Sequence, residues 1–127
     1  MTRRADEAGV IATQLAVLMP ALLMLIMLAV QFALWAHATQ LADAAADAGA
    51  AAAALADGTA DQGEAAAIAM LAQAGNLTDI VVEVDRGPQQ ATAVVTGIAP
   101  NVVPGFRWSV TGRAAVPAEV FRPEGER

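Results

Sequence analysis

From Ala8 to Ala42 the chain carries no Asp, Glu, Lys or Arg, and the first two thirds of that run are mostly large and apolar. Such a run is long and apolar enough to span a bilayer. The run therefore reads as a transmembrane helix. Leu15 to Trp35 would span about 31 Å, the thickness of a hydrocarbon core. Pro20 and Gln31 are its interruptions. Proline inside a spanning helix is tolerated, with a kink and a carbonyl freed one turn earlier, near Ala16. Trp35 and His37 fall where aromatic side chains gather at a membrane surface.

Arg3 and Arg4 precede the run, whereas Asp43 and Asp47 follow it. The positive-inside bias then puts the N-terminus in the cytoplasm and the remainder outside, a single-pass protein of the cytoplasmic membrane. Ala36-His37-Ala38 after an apolar stretch also has the form of a signal-peptide cleavage site, although signal cores are usually only about 7–15 residues. A generic anchored or signal-peptide-exported extracytoplasmic binding domain stays open as the alternative.

Net charge is -6, and every basic residue is an arginine. An acidic chain without a basic cluster repels nucleic acid. With no cysteine, disulfides, thiolate metal sites and thiol nucleophiles are excluded together. The one histidine, His37, sits beside the membrane, and the one serine, Ser109, on an expected strand, so they make no nucleophile–base pair. Glu83 and Asp85 share a strand face as solvated carboxylates, and no glycine-rich phosphate loop occurs. Asp57, Asp61 and Glu64 lack the spacing of a calcium loop and read as helix caps. No catalytic residue, metal, cofactor or small-molecule substrate is expected.

Past the bilayer, Ala42 to Ala56 continues the helix, with Asp43 and Asp47 one turn apart on one face. Ala45, Gly49 and Ala53 make a small-xxx-small row that lets another helix approach closely, or simply belong to an alanine-rich helix without a partner. Asp57-Gly58-Thr59 ends it. Asp61 and Glu64 have capping-box spacing for a second helix, with Ile68, Leu71, Ala72 and Gly75 on its buried face. The period then changes to that of strands: Ile80–Val84, Ala91–Thr96 and Phe106–Val116, separated by Asp85-Arg-Gly-Pro88 and by Pro100 and Pro104-Gly105. Phe106, Trp108 and Val110 would share one face of the third. The reading is α+β: a long N-terminal transmembrane helix extending into an Ala-rich helix, then a short helix and a three-stranded antiparallel sheet. Its segments are a basic leader at 1–9, the transmembrane segment at 10–38, Ala-rich extracytoplasmic helices at 39–76, a small β head at 77–117 and a polar tail at 118–127.

Gly9-Val-Ile-Ala-Thr-Gln14-Leu-Ala-Val-Leu-Met-Pro20, behind a short basic leader, resembles the N-terminus of a pilin-like protein. With the α-then-β layout and Val102-Val-Pro-Gly-Phe106 before the last strand, the chain resembles the TadE-like family of pilus-assembly proteins, most like actinobacterial members. The resemblance implies cleavage by a prepilin peptidase between Gly9 and Val10. It implies a pseudopilin or assembly factor of a Tad-type pilus or secretion system, whose partners are other Tad pilin-like or assembly proteins. Gln14 and Pro20 would serve helix packing and bend, and the row Ala45, Gly49, Ala53 helix contact. One departure is visible. Pilin-like relatives carry Glu where this chain has Gln14, and an amide forms hydrogen bonds but cannot pair its charge with a freed N-terminal amine.

Overall fold

A computed structural model describes residues 2–120. Five elements follow in order: α1 (Thr2–Ala54), α2 (Ala60–Ala74), β1 (Thr78–Arg86), β2 (Gln90–Ile98) and β3 (Ser109–Pro117). The architecture is α+β, as the change of period after Asn76 requires. Residues 121–127 of the expected tail lie outside the described residues.

α1 runs unbroken through Pro20 for 53 residues, a rod of about 80 Å. Its two parts differ in surroundings. Residues 3–30 are exposed throughout, and no other described residue buries them. From Gln31 onward a buried stripe appears, comprising Gln31, Ala38, Ala42, Ala45, Ala46, Gly49, Ala50, Ala53 and Ala54. Spacings of three and four keep these residues on one side of a helix. Asp43, Asp47 and Ala51 face solvent on the other.

The end of α1 is closed by distant parts of the chain. The Arg86 guanidinium donates to the carbonyls of Ala53 and, at 2.6 Å, Leu55, while the Glu119 N–H donates to Ala54 O at 2.8 Å. These satisfy carbonyls that a helix end leaves without partners, and a cation there complements the helix dipole.

α2 opens on a capping box made by Thr59 and Gln62: Gln62 N donates to Thr59 Oγ1, and Thr59 N to Gln62 Oε1, each at 3.2 Å. The box expected at Asp61 and Glu64 thus lies two residues earlier. Asp61 instead sits in the first turn, where a carboxylate also favours the helix dipole. Gly75, in the left-handed region at φ 69°, ends α2, as the sequence signalled. The buried face of α2 is Gly63, Ala67 and Leu71, and Ile68 and Ala72 point to solvent rather than inward.

The sheet is antiparallel in the order β1-β2-β3, with Val84 opposite Ala93 and Ala93 opposite Ala114. Ala91, Ala93, Val95 and Gly97 turn their buried face toward the helices. A bulge between Thr78 and Val81, with Asp79 at φ 50°, irregularises the free edge β1. Asp79, Glu83 and Asp85 place charge along that edge, which discourages pairing with another strand. Phe106, expected inside the third strand, precedes it and is exposed; Val110 is the buried member of that trio.

The core is made almost wholly of alanine, with Leu71, Val95 and Val110 the larger buried exceptions among the described residues. Such a core offers little apolar area per residue, so it depends on backbones coming close. Where α1 crosses α2, a Cβ on Gly63 would lie 2.7 Å from Gly49 O, and one on Gly49 3.1 Å from Gly63 O. Where α1 crosses β3, a Cβ on Gly112 would lie 2.2 Å from Ala42 C. Only glycine permits either contact.

Candidate functional site

The surface with functional character is the part of α1 that the rest of the chain leaves uncovered, together with the contacts that fix the head to the helix above it. Within α1, Arg3–Ala54 is long and apolar enough to cross a membrane, with a peak mean hydropathy of 2.5. Its exposed side chains include Val10, Leu15, Leu18, Leu22, Leu25, Leu28 and Val30. Val10 to Val30 measures about 31 Å as a helix, equal to the hydrocarbon core.

Gly9 lies inside this helix, with Thr13 Oγ1 donating to its carbonyl at 2.9 Å. Val10 and Gln14 are exposed beside it, and Gly9, Val10, Thr13 and Gln14 line one shallow patch of helix surface. Pro20 is exposed and the helix continues through it. Ala45, Gly49 and Ala53 are buried, and the helix that approaches along them is α2 of the same chain. That row is filled within the molecule and offers no open face to a second one. Glu83 and Asp85 are exposed on the edge strand, and among the described residues no group of His, Asp or Glu is gathered that could hold a metal ion.

The contact least visible in the sequence is Gln31. Directly after Val30, where the continuously exposed run ends, it is fully buried. Its Nε2 donates to Pro100 O at 3.1 Å, and its Oε1 accepts from Val102 N at 2.8 Å and from Val103 N at 3.4 Å. One amide thereby holds the β2–β3 connection against the helix. Asn101 completes the loop: its Nδ2 donates to Phe106 O at 2.5 Å, and its Oδ1 accepts from Val103 N at 3.0 Å. One turn above Gln31, Trp35 Nε1 donates to Ser109 O at 3.4 Å, and the Trp35 and Phe32 rings lie 5.8 Å apart. A single amide in an otherwise apolar stretch is the only signal the sequence held for this clasp. The same holds for Arg86, whose role depends on carbonyls more than thirty residues away.

The family model described as TadE-like protein matches residues 9–51. The match begins at Gly9 and ends within α1, so it covers the exposed apolar residues 9–30 and most of the stripe that the head packs on. Comparison with curated proteins finds no match, and comparison with solved structures finds none. With that match on the helix from Gly9 through the small-residue stripe, residues 9–51 of the chain are similar to the TadE-like family.

Proposed function

We propose that the chain is a non-catalytic, membrane-anchored component of a Tad-type pilus or secretion system, acting as a minor pseudopilin or assembly factor. The observation that carries this reading is that the TadE-like match takes in the exposed apolar half of α1. Val10–Val30 crosses the cytoplasmic membrane, with Arg3 and Arg4 on the cytoplasmic side and the head outside. Prepilin peptidase cuts between Gly9 and Val10. That step needs the helix to open locally, and glycine is about 1 kcal/mol less favourable than alanine in a helix interior. Gln14 and Pro20, both on the uncovered half, take part in packing against helices of other Tad proteins. The row Ala45, Gly49, Ala53 contributes indirectly, by seating α2 on α1.

The alternative of export by a signal peptide cut after Ala38 is disfavoured by packing. Such a cut would remove Gln31 and Trp35, which bond the head's own loop and strand, and would sever α1 inside the stripe that forms the core.

The test is the N-terminal sequence and intact mass of the protein recovered from its native membrane. A chain beginning at Val10 is the expected result. An uncut leader would refute the pseudopilin role and leave an assembly factor resident in the bilayer. A chain beginning at Thr39 would refute the anchored reading altogether.

A further inference from the structure

We propose that the β2–β3 loop, residues 99–108, is a second membrane contact: a wedge that rests in the interfacial layer of the outer leaflet and holds the head down on the bilayer. This rests on the reading of Val10–Val30 as the spanning segment.

The position of the loop comes from Gln31. Because Gln31 bonds Pro100, Val102 and Val103, the loop lies at the level where the uncovered apolar helix ends. At that level the helix presents Phe32, 62% exposed, with Trp35 beside it, the residue types that gather where hydrocarbon meets headgroups.

The chemistry of the loop points the same way. Loops usually show water polar side chains, yet this one exposes Val102 and Phe106, at 41% and 62%. In a chain of net charge -6, residues 99–108 hold no acid, and their one charged side chain is Arg107 at the end next to β3. Arg107 pairs with Asp79 at 2.7 Å, both largely exposed, and so marks a polar rim beside the apolar tip.

The backbone supplies an independent argument. Irregular chain approaches hydrocarbon only when its N–H and C=O groups already have partners. Here Gln31 takes Pro100 O and the Val102 and Val103 N–H groups, Asn101 takes Phe106 O, and Ala99 N donates to Trp108 O at 2.9 Å. These bonds satisfy the side of the loop that meets the helix, so its apolar side chains can enter lipid while the remaining backbone groups keep the water of the interfacial layer. The occupant of the apolar tip is therefore lipid.

The absence of cysteine allows single nitroxide labels to be placed without further changes. The full chain is reconstituted in vesicles of phosphatidylethanolamine and phosphatidylglycerol, with one label at each of four sites in turn: Leu23→Cys, Phe106→Cys, Val102→Cys and Glu83→Cys. Collisions with oxygen, which partitions into lipid, are compared with collisions with a water-soluble nickel chelate. Expected are preferential oxygen access at Leu23, Val102 and Phe106, deepest at Leu23, and preferential nickel access at Glu83. Labels at Val102 and Phe106 that read as water while Leu23 reads as lipid would overturn the wedge and leave the anchor standing. Loop labels closed to both reagents would also overturn it, since a protein surface would then cover the tip. Nickel access at Leu23 would refute the anchor, and the wedge with it.

Discussion

Replacing Gly112 with alanine tests whether close backbone approach holds this head together. An ideal Cβ at Gly112 would sit 2.2 Å from Ala42 C, 2.3 Å from Ala42 O and 2.4 Å from Asp43 N, where real Cβ contacts stay above 3.0 Å. All three neighbours are backbone, so no side-chain rotation relieves the clash, and β3 and α1 must part by nearly an ångström. A gap of that order forfeits between a quarter and a half of each van der Waals contact along the seam. Ala38, Ala42, Ala45, Ala46 and Val110 all belong to that cluster. Overpacking of this kind costs about 1–3 kcal/mol, offset by about 0.5–1 kcal/mol because alanine has less conformational freedom to lose than glycine. The net expectation is a loss of about 1.3 kcal/mol, or about 5–10 °C in Tm for a head of this size. Gly97→Ala is the matched control. Its Cβ would meet Leu77 Cδ2 at 2.8 Å, the movable end of a side chain, so its loss should stay below about 1 kcal/mol. Urea unfolding of the full chain in detergent micelles, followed by the fluorescence of Trp35 and Trp108, measures both. If Gly112→Ala proves no more harmful than Gly97→Ala, the close-approach account of the core is wrong.

Gln31→Leu keeps the helix apolar but leaves Pro100 O and the Val102 N–H without their partner. A stability loss of about 2 kcal/mol is expected, with faster amide exchange at Val102; unchanged exchange there would contradict the clasp. Arg86→Met removes the cation that closes α1 and should lower stability by about 1.5–3 kcal/mol, the usual worth of hydrogen bonds to a charged group. The same unfolding experiment reads it, and a change within about 0.5 kcal/mol, typical of a surface substitution, would show those bonds to be idle.

The elements were legible because their signals are local. The uncharged run, the alternation in Ala91–Thr96 and the Gly75-Asn76 stop each depend on a few neighbouring residues. The errors arose where a local signal was duplicated or where a spacing left the orientation of the helix open. Thr59-x-x-Gln62 and Asp61-x-x-Glu64 overlap, and spacing alone does not choose between two boxes offset by two residues. Helical spacing puts Ile68 on one face with Leu71, Ala72 and Gly75. Yet α2 turns its small residues, Gly63 and Ala67, toward Gly49, and that crossing rotates Ile68 outward. Of the candidate site, Gly9, Val10, Gln14 and Pro20 come from the pilin-like resemblance, and all four are exposed on α1. The partner of the Ala45, Gly49, Ala53 row and the role of Gln31 were hidden, because each is decided by chain that folds back from far away in sequence.

The unbroken course of α1 gives the length of its apolar stretch a second meaning. From Gly9 to Gln31 there are about six helical turns, and each residue advances the rod by about 1.5 Å while rotating it by about 100°. The head grips only one side of that rod, so its compass heading about the membrane normal is set by a residue count. One residue more or fewer between Gly9 and Gln31 would still leave a stretch that spans the bilayer, but it would swing the head more than a quarter turn relative to the N-terminus. The sequence of this stretch thus encodes an azimuth of the head as well as a length of helix.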